Sequence, residues 1–221
     1  MPNPLQRPEP DLSGLSRTDV LKASPPMFRS PLLDRLTRVH WSVVPALFAP
    51  VIVAFLVLAL ARTAVLPVVG YVIAGYVVWT LTEYWLHRVV FHFEPERGIG
   101  AQLHWMIHGV HHDHPNDPMR LVMPPSASVP LGVLFAALFQ LILPFGAACG
   151  VSAGFFAGYL AYDMTHYYVH HVTPRGPIGR KLRELHMRHH FQDDKAGFGV
   201  SAPWWDHVFG TAPSRAQRPQ R

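Results

Sequence analysis

Val43 to Ala61, Ala64 to Leu81 and Val129 to Ala148 contain no charged residue, and Gly150 to Tyr162 opens a fourth apolar run that ends at Asp163 and His166. Each of the first three is long enough to cross a hydrocarbon core of roughly 30 Å as a helix. None shows the polar stripe of a helix half-buried in a soluble bundle, and three such runs in one small chain are hard to hide from water. The pattern predicts an all-α, integral-membrane protein. It has about four transmembrane helices, with the polar segments between and after them forming a helical cap.

The flanks read differently. Met1 to Ser30 holds six prolines and few large apolar residues, which predicts a disordered N-terminal segment over 1–31. The stretch 212–221 predicts a disordered tail, leaving 32–211 as the folded membrane unit. The first apolar run begins more than forty residues in, so it is not a cleavable signal sequence.

Positive charge sets the expected orientation. Six Lys or Arg precede the first run, three lie between the second and third, nine follow the fourth, and only Arg62 lies on the opposite connections. The positive-inside rule then places both termini and the middle loop in the cytoplasm. The net charge of +5 is mostly this bias, and no separate basic domain suggests a nucleic-acid partner. Arg175, Arg180, Lys181, Arg183 and Arg188 also suit anionic headgroups. The single cysteine, Cys149, excludes an intramolecular disulfide and any Cys-based metal site.

Thirteen of the fifteen histidines fall into two clusters. They form the phrases H-R-V-V-F-H from His87, H-G-V-H-H from His108, H-Y-Y-V-H-H from His166 and H-M-R-H-H from His186. Residues at i, i+3 and i+4 share a helix face, so each phrase is expected to aim two or three imidazoles in one direction. All four phrases lie at the cytoplasmic ends of the apolar runs or just beyond, where they can converge. Neutral imidazole ligates zinc, iron, copper and nickel, and one metal takes three or four protein ligands. About ten imidazoles therefore argue for two metal ions.

Other histidines read differently. His40 beside Trp41 is an interfacial residue, and His171 points about 100° from His170. His114 marks a helix end, His104 stays open as a further ligand candidate, and His207 stands in an aromatic stretch that suggests a packed lid or an interfacial anchor. Glu83 and Asp163 precede His87 and His166 by four and three residues. They are expected to accept the outer N–H of those imidazoles, as partners of metal-bound histidine commonly do. Glu184, Asp193, Asp194 and Asp206 also stand nearby, and spacing does not separate them.

These phrases, with the closing G-F-G-V-S-A-P-W-W-D-H-V-F-G-T, resemble the superfamily of fatty acid hydroxylases and sterol desaturases, and most closely the fatty acid 2-hydroxylases. The resemblance covers Leu32 to Thr211. It implies metal ligands at His87, His92, His108, His111, His112, His166, His170, His186, His189 and His190, the set that spacing also favours. It further implies hydroxylation of a lipid acyl chain at carbon 2, using O2. Iron is the expected metal for that chemistry, although imidazole holds zinc at least as well. Eukaryotic 2-hydroxylases often carry a fused cytochrome b5 domain. Only about forty residues precede the first run here, so electrons are expected from a separate electron-transfer protein.

Two other readings bear on this one. Sterol, carotenoid and alkyl-lipid oxygenases or desaturases share the metal motifs, because the substrate slot selects among them. A metal transporter would place its site near the bilayer midplane, whereas no histidine lies inside the apolar runs.

Overall fold

The computed structural model describes residues 11–95 and 97–214. Every regular element among them is helical: α1 (Arg17–Lys22), α2 (Pro31–Leu36), α3 (Val43–Leu60), α4 (Val65–Trp85), α5 (Gly98–His104), α6 (Val110–Asp113), α7 (Pro125–Ile142), α8 (Phe145–His171), α9 (Pro177–Phe191) and α10 (Trp204–Val208). Two π-helical turns interrupt this sequence. Leu86–Phe91 continues α4, and Trp105–Gly109 joins α5 to α6.

Four helices are long and apolar enough to cross a membrane: α3, α4 with its π extension to Phe91, α7 and α8. The sequence pattern had the third run wrong. Val129 to Ala148 is cut at Leu143 and Pro144, so α7 starts earlier, at Pro125, and the run's last residues open α8. Proline lacks the N–H that a continuing helix needs. Around α8, which is buried over most of its length, stand α3, α4 and α7. Their outward surfaces are apolar: Leu66 is 82% exposed, Leu141 79% and Ile142 73%. Water does not tolerate continuous apolar surface of this kind, and lipid does.

Two glycines let α4 and α8 touch backbone to backbone. A Cβ at Gly154 would stand 1.9 Å from the carbonyl oxygen of Val72, and one at Gly75 would stand 2.0 Å from that of Val151. Below this seam, Trp79, Phe155, Tyr159 and Tyr162 interlock, with Trp79 5.1 Å from Phe155 and 5.2 Å from Tyr159 between ring centroids. The histidine-bearing ends of α4 and α8 are thereby held side by side.

The expected disorder over 1–31 does not hold for its described part; residues 1–10 lie outside the described residues. From Ser16 onward the segment is strapped across the middle loop. The Val20 carbonyl accepts from His114 Nδ1 at 2.6 Å, and the Leu21 carbonyl accepts from the Asn116 amide at 2.9 Å. Arg120, whose side chain is 2% exposed, bonds Asp34 at 2.7 Å and the Pro25 carbonyl. Composition alone missed this because the strap folds on partners far along the chain and has little core of its own. Of the expected disordered tail, residues 215–221 lie outside the described residues.

Candidate metal centre

Ten imidazoles meet in two groups where α4, α6, α8 and α9 end. His87, His92, His108, His112 and His189 form one; His111, His166, His170, His186 and His190 form the other. In each, the five candidate ligand atoms lie within 4.8 Å of one another. The ten are the histidines that the sequence singled out.

In the H-R-V-V-F-H phrase the local folding was not as the spacing implied. His87 and His92 are five residues apart, which on an α-helix would separate them by about 140°. The π turn corrects this: the His92 amide donates to the His87 carbonyl at 3.1 Å, and both rings reach one group. Such single π turns inside helices recur at functional sites. The two H-x-x-H-H phrases each aim two imidazoles one way, as the spacing implied, and turn the third aside. His108 and His112 join the first group while His111 joins the second, and on α9 His186 and His190 join the second while His189 joins the first. Each phrase serves both groups, so adjacent histidines diverge by the 100° of one helical step.

Within the first group, His87 Nε2 lies 3.2 Å from Nε2 of His108 and of His92. Nε2 of His92 is 3.0 Å from that of His189, and Nε2 of His112 is 3.0 Å from that of His108. In the second group the spacings are 3.0 Å for His166 to His111, 2.8 Å for His170 to His186 and 3.1 Å for His190 to His186. Ligands at right angles on bonds of about 2.1 Å sit about 3.0 Å apart, so the donor set fits a metal ion.

The proton inventory agrees. Burial, reinforced by neighbouring imidazoles, pushes His92 down to about 2 and His112 to about 3, and holds His108, His111, His186 and His190 well below the usual histidine range. These rings are neutral near pH 7. His87 Nδ1 bonds the Phe198 carbonyl at 2.7 Å and His189 Nδ1 bonds the Ala196 carbonyl at 2.8 Å. Carbonyls only accept, so both Nδ1 atoms carry the hydrogen and both Nε2 atoms present lone pairs. A cation in the group would accept these lone pairs.

The expected partners of the outer nitrogens were wrong. Glu83 does not bond His87; its carboxylate accepts from the Ser201 amide at 2.7 Å and from the Ser201 hydroxyl. Nor does Asp163 bond His166; it accepts from Tyr159 at 3.0 Å and from the Met123 amide. The partners that sequence reasoning missed are main-chain carbonyls, which residue types cannot announce. Among the other histidines, His171 packs against Tyr167 at 4.4 Å and His40 bonds Ser42 at 2.7 Å, and neither they nor His104, His114 and His207 stand in either group. The aromatic stretch packs as a lid in part: Phe209 stacks on Tyr84 at 4.9 Å, and Trp205 donates to Thr80 at 3.1 Å.

Beside the groups lies a cavity of about 460 Å³ whose walls include Leu86, Phe91, Met106, Val122, Met27 and Phe28. His108 of the first group and His111 and His166 of the second also line it.

Helices fit for a membrane, two polyhistidine groups that could hold metal ions and an apolar cavity against both fit the class of membrane-associated enzymes that act on lipids. The match to known proteins names the class: residues 72–211 fit the fatty acid hydroxylase family model. A dihydroceramide fatty acyl 2-hydroxylase of Arabidopsis thaliana is 39% identical over 194 residues, covering 87% of this chain and 82% of its own. The ceramide very long chain fatty acid hydroxylase of Saccharomyces cerevisiae is 41% identical over 86% of this chain and 50% of its own. The hydroxylase domain visible in a structure of full-length scs7p superposes with a TM-score of 0.83 at 39% identity, covering 90% of this chain and 76% of that one. The chain belongs to the fatty acid hydroxylase family and is an oxidoreductase that hydroxylates lipids.

Proposed function

We propose that this enzyme hydroxylates the acyl chain of a lipid at carbon 2. The observation that carries the reading is the cavity, which is apolar along most of its wall and ends on histidines of both groups. An acyl chain lying there would bring a C–H bond to the metal centre. In this reading the ten histidines hold two ions, one in each group, and iron is the metal suited to the chemistry.

The balance is that of a monooxygenase. One oxygen atom of O2 enters the C–H bond and the other leaves as water, with two electrons and two protons consumed. Bound metal supplies O2 activation. The protein's own part is placement and dryness. The Phe198 and Ala196 carbonyls fix the tautomers of His87 and His189. Tyr159 and Asp163 tie α8 to the Met123 amide, and Met123 and Asp163 both line the cavity. The apolar wall keeps bulk water from the reacting carbon.

The four apolar helices cross the bilayer, with the termini and metal centre on the cytoplasmic side, as the positive charges favour. Electrons come from a separate electron-transfer protein. The histidines lie at the ends of the apolar spans, near the level where headgroups meet acyl chains. That depth and the relatives' names support carbon 2. Fragmentation mass spectrometry of acyl chains from expressing cells tests it: one added oxygen at carbon 2 is expected. Oxygen in mid-chain, or on a sterol ring, would reassign the substrate and leave the metal centre in place.

A further inference from the structure

The two histidine groups are supported very differently. In the first, His87 and His189 are anchored through Nδ1 to carbonyls of one short loop, at Phe198 and Ala196. That loop is held from its other side by Asp206, which is 2% exposed. Its carboxylate accepts from the amides of Phe198 and Gly199, each at 2.9 Å, and from the Thr211 hydroxyl at 2.8 Å. The turn is tight. Gly197 has φ of +80°, and a Cβ at Gly199 would stand 2.4 Å from the Ala202 carbonyl oxygen and 3.0 Å from Asp206 itself. The Gly197 amide closes the frame on the Thr211 carbonyl at 2.8 Å.

Among the described residues the second group has no such frame. Nδ1 of His170, His186 and His190 is buried and bonds none of the described residues. Outer hydrogen bonds orient a ligating imidazole and raise its basicity, and losing one typically costs about 10- to 100-fold in metal affinity.

We propose that Asp206 is a positioning residue for the first metal site, acting through the 196–199 loop on His87 and His189, and that the two sites therefore hold their ions unequally, the first more tightly. This rests on the reading that both groups bind metal. In the second group, His170, His186 and His190 have no partner at Nδ1 among the described residues to keep them aimed. In the first, His87 and His189 are fixed by a hydrogen-bonded loop.

The test is metal content, independent of turnover. The full chain in detergent micelles is loaded with zinc, and a chelator is titrated while bound zinc per chain is counted. The wild type is expected to release zinc in two steps of one ion each. His170→Ala, which lacks a second-group ligand, should lose the easier step and so assign it. Asp206→Asn should shift the harder step toward weaker binding by roughly 10- to 100-fold and leave the easier one in place. Thr211→Val removes one hydrogen bond to Asp206 and should move the same step by less; if Asp206→Asn fails to accumulate, this variant decides. Two ions leaving together from the wild type, or a shift of both steps or neither in the deciding variant, would overturn the proposal. Wild-type protein that binds no zinc at all would instead sink the metal reading beneath it.

Discussion

The rings of His112 and His190 lie 4.3 Å apart between centroids, yet they belong to different histidine groups. They come from α6 and α9, and each is the last residue of an H-x-x-H-H phrase. The two groups are thus neighbours across this pair.

Removing either ring should disable its own group and spare the other. His112→Ala and His190→Ala are each expected to lower activity by more than the roughly 100-fold that loss of an outer partner costs. Each should keep about one metal ion of two, whereas His171→Ala and His40→Ala should keep both and remain active. Elemental analysis beside the lipid assay checks this. Full metal content with full turnover in His112→Ala would remove it from the ligand set.

How much of this the sequence disclosed depends on the level of structure. Which histidines come together was readable, because H-x-x-H-H repeated on one side of the apolar runs is chemistry written in residue types. How they divide was not. His111 and His112 are adjacent and reach different groups, which follows from the angle between them once two facing helices are in place. The aim of His92 depended on a π turn, and the hydrophobic pattern carries no signal for one. Glu83 and Asp163 were reasonable partners by spacing, but His87 bonds the Phe198 carbonyl, and Asp163 bonds Tyr159 and the Met123 amide. Asp206 stood unresolved among four acidic residues until the loop it holds was seen. The strap from Ser16 to Arg38 reads as polar and Pro-rich, and only Arg120 and His114, far along the chain, explain its order.

Acid should destabilise the metal-stripped protein. His92, His108, His111, His112, His186 and His190 are all held below the ordinary value of about 6.5. The unfolded chain therefore takes up protons below that pH that the folded chain refuses, so stability is full above it and falls as pH drops. Bound metal sharpens the trend, since protons compete for the same nitrogens. The Tm of stripped protein in detergent is expected to fall between about pH 7 and about pH 5. A Tm that is flat or rising toward acid would mean these rings are not buried and neutral.

Helix contact through glycine makes a second stability prediction. At Gly154 an added methyl meets the Val72 carbonyl at 1.9 Å, backbone that cannot swing aside. Gly154→Ala should destabilise by at least the 1–3 kcal/mol usual for overpacking, seen as lower Tm and loss of the folded fraction. Gly70, on the same α4, has nothing within 4 Å. Gly70→Ala should be neutral or gain up to about 1 kcal/mol in helix propensity. Equal tolerance of both would show that α4 and α8 are not in backbone contact at this point.

The N-terminal strap offers a last test, because it forms part of the cavity wall through Met27 and Phe28. Its latch is Asp34, which accepts from Arg120 at 2.7 Å, from the Met27 amide at 2.7 Å and from Arg38 at 2.9 Å. Losing one partner of an exposed pair costs little, whereas removing one partner of a buried pair costs about 3–5 kcal/mol by leaving the other charge unpaired; this pair is largely shielded, with side chains 2% and 15% exposed. Each loss of about 1.4 kcal/mol from docking raises the undocked population about tenfold. Asp34→Ala should therefore speed limited proteolysis between Ser16 and Arg38 by at least about that factor. The histidine groups do not include the strap, so metal content should stay unchanged. Turnover of acyl lipid should fall as the cavity wall opens to water. Proteolysis at the wild-type rate would show that Asp34 does not hold the strap. Faster cleavage with undiminished turnover would show that the strap covers the cavity without serving the reaction.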